Sequence, residues 1–452
     1  VKLKACLALI SVALLTGCDP PHRTRGKASA ETAPVAAAGA PDYRFGITGV
    51  GDTREAPALL RELGVGWVRV PVNWGQVEPR RGDYNWAKVE RAMAAQRRSM
   101  PQVRVMVTLR AKSPWAGGRG VREADREKAS FPPTDLDAYY EFVHGMAQRG
   151  RGLVEVWQIE NEEEGRNWWA GTPEQYLTLL RTAHRAIRSA DPQAKIMLGG
   201  FTSEMTTAAA AHAAGRSQAE IARLMGHHGA VRPEAEAAIR RNVAFISTVL
   251  AGAGDLVDLV DIHLYNDYDT IPTRVSWLRN TMLASGYEKP IWATEVGGPD
   301  ALVAPYSDEA AAQEVVKRMV LAFTSGVETA FWLGLLEGDA PHGERFNHLG
   351  LMTRNGRQKP AFVAYQTLTS TLGDLPYAST QPVPGGFGAR FGEGGRTVEV
   401  MWSDHSASYR LAATGPVTAI DIRGRTETLQ PRNGAVSLRL TASPILVRQA
   451  QP

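Results

Sequence analysis

Cysteine is almost missing from these 452 residues: there are two, Cys6 and Cys18, and none after position 18. Structural disulfides, thiolate catalysis and cysteine-bound metal are thereby excluded downstream, so a fold must rest on its own core. Long basic runs are missing too. Fifty-one basic and 47 acidic residues leave a net charge of +4 and a pI near 9.0. Short clusters such as Arg240-Arg241 read as solvated helix faces, so no nucleic-acid partner is expected. There is no His-Glu-x-x-His, and His227-His228 has no companion ligands at metal spacing. No Gly-x-Ser-x-Gly elbow occurs, and Gly46-x-x-Gly49-x-Gly51 has neither dinucleotide nor P-loop spacing. Neither a metal nor an organic cofactor is expected.

What is present is a hydrophobic share of 44% and a charged share of 22%, the balance of a soluble chain with a large core. Eleven tryptophans stand out. Flat aromatic faces suit carbohydrate clefts, although most of the eleven would fill a core of this size. The N-terminus has a separate logic. Lys2 and Lys4 precede an apolar run, Ala5 to Leu15, that is short for a bilayer span and ends in Leu15-Thr16-Gly17-Cys18. This resembles the processing site of bacterial lipoproteins, which implies lipidation of Cys18 and an exported protein held to a membrane by its acyl groups. Residues 1–17 are then a signal peptide, whose removal takes two lysines and lowers the net charge from +4 to +2. Residues 18–41, rich in Ala, Pro, Gly and Thr, read as a flexible tether.

From Tyr43 short apolar strands alternate with longer amphipathic segments, the mark of βα units. Strands are expected near 44–49, 66–71, 103–109, 153–159, 194–198, 256–264, 290–295 and 329–333. Helical sequence follows each, including an Ala-rich stretch at about 206–251. Eight such units suit a (β/α)₈ TIM barrel over 42–372, with an open doubly wound sheet as the rival that periodicity does not reject. After Gly373 the texture turns to Gly/Pro-rich turns and short alternating runs, so 373–452 reads as a small antiparallel β domain.

Barrel strands present functional groups at their C-terminal ends. Those ends carry Arg69, Arg110, Asn161 with Glu162, His263 with Tyr265, Glu295, and Trp332. Glu163 and Glu164 lie just beyond the strand-four tip, and Arg110 suits a salt bridge as well as a ligand contact. Two carboxylates among aromatics suggest glycosidic cleavage, which needs one protonated and one ionised acid. Adjacent residues of a regular strand face opposite ways, so Asn161 and Glu162 can serve one site only if the strand end curls. Ser113-Pro114-Trp115 and Trp168-Trp169 are candidate sugar platforms.

Several segments carry a family resemblance. Trp157-Gln158-Ile159-Glu160-Asn161-Glu162 resembles the strand-four motif of clan A retaining glycoside hydrolases, and Ile291-Trp292-Ala293-Thr294-Glu295-Val296-Gly297 resembles their strand-seven motif. Asp261-Ile262-His263-Leu264-Tyr265 is similar to their strand-six His-x-Tyr, and Trp332 matches their strand-eight Trp. Val68 to Trp74, Val77-Glu78-Pro79 and Gly82 to Trp86 resemble families 5 and 39, as does the turn Gly356 to Ala361. The resemblance implies that Glu162 is the acid/base, Glu295 the nucleophile, and Asn161 a ligand for the sugar 2-hydroxyl. It implies that Arg69 and Tyr265 orient Glu295, that His263 shapes the site and that Trp332 stacks on the sugar. The implied activity is hydrolysis of O-glycosidic bonds, β-linked, of an extracytoplasmic poly- or oligosaccharide by double displacement; a transglycosylase or a non-catalytic glycan-binding lipoprotein are the alternatives.

Overall fold

The computed structural model describes residues 42–51, 54–118, 125, 128–225, 233–300, 305–338 and 344–450. The signal peptide, Cys18, the tether and His227-His228 lie outside them. Eight parallel strands form one sheet: β1 Asp42–Thr48, β2 Val65–Asn73, β3 Arg104–Arg110, β4 Val154–Ile159, β5 Lys195–Leu198, β6 Val260–Leu264, β7 Ile291–Val296 and β8 Val327–Leu333. Their order is β5-β4-β3-β2-β1-β8-β7-β6. The remaining seam, β5 to β6, is joined by parallel bridges Met197–Leu259 and Phe201–Ile262. The sheet therefore closes, and the doubly wound alternative falls away. It is a TIM barrel.

The intervening helices are α1 Ala56–Glu62, α2 Trp74–Val77, α3 Trp86–Ser99, α4 Leu136–Gly150, α5 Pro173–Ala190, α6 Ser203–Ala213, α7 Gln218–Leu224, α8 Pro233–Ala253, α9 Ile271–Ala284, α10 Asp308–Thr324, α11 Glu344–Asn347 and α12 Pro360–Leu372. Their ends follow local chemistry. Asp135 caps α4 by accepting from the Ala138 amide at 2.9 Å, and α5 opens on a Thr172/Gln175 capping box with Pro173 behind it. The Ala-rich stretch expected as helix divides into α6, α7 and α8.

The barrel interior is layered. Its foot is apolar, built from Trp67, Met106, Val156, Met197, Leu259, Trp292 and Phe331. Gly46 supplies the gap for the Phe331 ring, since a Cβ there would lie 2.4 Å from it. One layer up the interior turns polar, with Thr48, Arg69, Thr108, Gln158, Asp261 and Thr294 all buried. Beyond α12, β9 Tyr377–Gln381, β10 Gly386–Phe391, β11 Arg396–Ser403, β13 Val417–Asp421, β14 Thr426–Leu429 and β16 Ile445–Ala450 form an antiparallel sheet, with β12 Ala407–Ala412 and β15 Ala435–Leu440 as a separate pair. One face of that sheet, through Phe391, Val398, Val400 and Leu446, joins the barrel's core; Met401 and Val447 on the other meet Leu411, Val436 and Leu438 of the pair. Among the described residues no helix is long and apolar enough to cross a membrane.

Candidate active site

The polar layer is the platform of the site. Arg69 Nε donates to Thr108 Oγ1 at 2.9 Å and to Gln158 Oε1 at 3.0 Å. Gln158 Nε2 donates across to Asp261 Oδ2 at 2.6 Å, and Asp261 Oδ1 accepts from the Thr294 amide at 2.8 Å. Thr48 Oγ1 extends the network to β1 by donating to the Thr294 carbonyl at 2.6 Å. Six strands thus fix one another by hydrogen bonds, which a buried polar layer requires if it is not to be costly.

On this platform β4 ends and curls. Glu160 and Glu162 both adopt left-handed backbone, at φ 66° and 50°, where a non-glycine residue pays roughly 1 kcal/mol or more. The curl turns two neighbours to one target: Asn161 Oδ1 accepts from Arg69, while Glu162 Oε1 lies 2.8 Å from His263 Nδ1. In β7 the pairing register slips between Ala293 and Val296, and the neighbours Thr294 and Glu295 both reach inward. Arg69 donates to Glu295 Oε1 at 2.6 Å and Tyr265 to its Oε2 at 2.7 Å.

Glu162 and Glu295 present oxygens within 4.8 Å of each other, and their side chains are 13% and 15% exposed. Their environments are opposite. Burial pushes the Glu162 carboxyl above its ordinary range, and the charge of Glu295 adds to this against the pull of His263. Burial also pushes Glu295 upward, but His263, Arg69 and the Tyr265 hydroxyl outweigh it and hold that carboxylate below its ordinary range. His263 is fully buried; desolvation favours its neutral form, yet Glu295, Asp261 and Glu162 raise it well above the usual imidazole value. Glu162, His263 and Glu295 are close enough for a metal ion. Arg69 already places a positive charge on Glu295 there, so this donor set is better suited to holding protons than a divalent cation.

Trp115 is half-buried, donating from Nε1 to the Glu78 carbonyl at 2.8 Å with its ring edge-on to Trp74. Arg110 lies over the Trp168 ring at 4.6 Å and 3.8 Å from Glu160, so it serves the strand-four loop. Trp168 stays partly exposed, whereas Trp169 is buried on Tyr176. Trp332 is fully buried, its indole donating to the Leu349 carbonyl at 2.8 Å. Phe346 packs on Tyr265 at 4.8 Å, and a Cβ on Gly297 would meet Leu349 at 2.7 Å. Phe346 and Leu349 fill the space beside Glu295.

The neighbours of Glu162 are not the solvated loop that four acids in five positions suggest. Glu160 and Glu163 are fully buried and Glu164 is 3% exposed. Glu160 accepts from the Ala111 amide; Glu164 accepts from the Thr202 amide at 2.7 Å, and burial lifts its carboxyl to about 7. Gln158 and Asp261 are the residues that sequence reasoning passed over as functional. Their signal was present: a polar side chain in the middle of an otherwise apolar strand.

No family model matches the sequence, and no curated protein matches it. Solved structures do. A family 39 glycoside hydrolase from Bacteroides cellulosilyticus WH2 superposes with a TM-score of 0.65 at 18% identity, over 90% of this chain and 81% of that one. A monomeric β-xylosidase from Caulobacter crescentus CB15 gives 0.60 at 14%, over 92% and 98%. A family 30 endoxylanase from Clostridium papyrosolvens C71 gives 0.59 at 12%, over 92% and 98%. The coverage takes in barrel and C-terminal sheets alike, so the whole architecture is shared.

Proposed function

We propose that this chain is a retaining glycosidase acting on β-linked sugars. The observation that carries the reading is the pair itself: two carboxyl groups with oxygens within 4.8 Å, one pushed above its ordinary range by burial and the other held below it by His263, Arg69 and Tyr265. Double displacement uses carboxyl groups about 5–5.5 Å apart, while inversion needs about 6.5–9.5 Å to admit a water. Glu162 protonates the leaving oxygen as Glu295 attacks the anomeric carbon, forming a glycosyl ester and releasing the aglycone. Glu162, now ionised, takes a proton from water, whose oxygen displaces Glu295 and restores both groups. Arg69 can only donate, so it fixes the Asn161 amide with Oδ1 inward and leaves the NH₂ group for a sugar hydroxyl.

The test is a panel of aryl β-glycosides and the matching polysaccharides, with xylosides first because two fold neighbours are described as a β-xylosidase and an endoxylanase. Proton NMR should show the β-anomer as the first product; an α-anomer first, or no turnover on any member, overturns the reading. The pH profile should be a bell. Its acid limb, protonation of Glu295, falls below the ordinary carboxylate range; its alkaline limb, ionisation of Glu162, falls above it. Export with lipid attachment at Cys18 belongs to the same proposal and rests on the Lys2, Lys4 and Leu15-Thr16-Gly17-Cys18 pattern. Cys18→Ser should move the protein out of the membrane fraction, and unchanged partition would refute the anchor.

A further inference from the structure

The end of β6 is held in an unusual way. Beyond Leu264 the chain runs through Tyr265 to Asn266, which sits at φ 56°. Arg274 of α9 donates to the carbonyls of His263 and, at 2.9 Å, Tyr265. Arg318 of α10 donates to the carbonyls of Leu264 at 3.3 Å and Asn266 at 2.6 Å. Four consecutive carbonyls are thus taken in alternation by two guanidinium groups from outside the barrel. Both are buried, Arg274 at 0% and Arg318 at 1% exposure.

We propose that Arg274 and Arg318 are positioning residues of the catalytic centre, clamping residues 263–266 so that His263 and Tyr265 meet Glu162 and Glu295 in register. The inference rests on the glycosidase reading above and adds to it two residues that lie behind the cleft.

Three observations carry it. First, Arg274 hydrogen-bonds to neutral oxygens: besides the two carbonyls it reaches Ser203 Oγ at 2.7 Å, Thr206 Oγ1 at 3.3 Å and Thr270 Oγ1 at 3.5 Å. Holding a buried cation on neutral acceptors is a costly way to stabilise a fold; burial and the neighbouring Arg318 lower this guanidinium to about 9 against the pull of Glu204 and Asp300. What the arrangement achieves is geometric, because a planar fork can bridge two carbonyls that an ammonium cannot. Second, Ser203 is shared: its Oγ also accepts from the Tyr265 amide at 2.8 Å, so α6 is locked to the same segment. Third, Arg318 also meets the exit of β7. It pairs with Glu314 at 2.6 Å, and a Cβ on Gly298 would lie 2.2 Å from both partners. The strand carrying the nucleophile candidate therefore leaves flush against the group that grips β6, and Asp300 Oδ2 accepts from the Asn266 amide at 3.0 Å.

The test compares Arg274→Met, Arg274→Lys and Arg188→Met, the last removing a barrel-foot ion pair with Asp258 far from the clamp. Arg274→Met should lower kcat by about 10- to 100-fold with KM within about threefold, as expected for a displaced catalytic group. Arg274→Lys should fall between it and wild type. Glu295 is faced by Arg69, His263, Tyr265 and Glu162. Loosening the Tyr265 contact should therefore raise the acid limb of the pH profile, by roughly one unit; Arg188→Met should lower Tm and leave the profile in place. If Arg274→Met does not fold, the Lys variant carries the test. A folded Arg274 variant with unchanged kcat and acid limb overturns the proposal. A readout free of turnover separates it from the glycosidase reading: in ¹⁵N-histidine NMR the His263 resonances should move in Arg274→Lys and stay put in Arg188→Met. Moved resonances without turnover of any glycoside would support the clamp and sink the glycosidase; unmoved resonances sink the clamp.

Discussion

Glu295→Gln should retain the fold and lose at least about 10⁴-fold in kcat, the scale seen when a covalent nucleophile is removed. The amide is isosteric; its oxygen can still accept from Arg69 while its NH₂ donates to the Tyr265 hydroxyl oxygen, so the platform stays intact while the attacking carboxylate is withdrawn. A shorter variant makes the assignment sharper. Glu295→Gly leaves a space behind the anomeric carbon, and added azide can attack from it while Glu162 still protonates the leaving group. The product should be a glycosyl azide of inverted configuration. Retention of more than a tenth of wild-type turnover by Glu295→Gln would remove Glu295 from the mechanism.

Glu162→Gln has a different expected signature, because the acid acts in both steps. Loss of a general acid costs about 10² to 10⁴-fold, and here the loss should depend on the leaving group. A dinitrophenol departs without a proton, so its glycoside should still form the covalent intermediate, while a sugar or alkyl aglycone should be cleaved at the full penalty. Deglycosylation then lacks its base, and the ester on Glu295 should accumulate as an intact-mass increment of one sugar. Azide attacking that ester gives the azide of retained configuration, the opposite anomer from the Glu295→Gly product. An equal loss for every leaving group would show that Glu162 is not the proton donor. Glu163 is the nearest substitute in sequence, but it is fully buried and its position 199 neighbour is a glycine that a Cβ would drive to 2.1 Å from it.

Much of this was legible in the residues. Branched apolar runs and capped amphipathic segments marked the eight βα units, and α5 begins and ends at Thr172-Pro173 and Asp191, as its capping chemistry dictates. Closure was not legible, because it rests on the β1–β8 pairing and the β5–β6 bridges between residues distant in sequence. At the site, the need for a curl behind β4 followed from strand geometry, but nothing in Glu160 or Glu162 announces left-handed backbone. The burial of Glu160, Glu163 and Glu164 was equally hidden. Acidic side chains ordinarily signal solvent, and these are enclosed by groups from β3, α5 and the β5 exit, such as Ala111, Tyr176 and Thr202. For Trp332 the motif points to a sugar-facing ring, whereas the ring is fully buried and its indole N–H is taken by the Leu349 carbonyl. The clamp arginines lie on helices where a lone Arg reads as surface, and only packing shows that Arg274 and Arg318 turn inward.

The polar layer under the site has members from six different strands, and the Gln158–Asp261 bond passes over the seam between β5 and β6. Division of the barrel into its β1–β4 and β5–β8 halves separates the two ends of that bond. Glu162 follows β4 and Glu295 lies in β7, so the proposed pair, too, is assembled only when the two halves are joined. During refolding, recovery of turnover should therefore trail the return of helical signal, which makes activity a clock for the joining of the two halves.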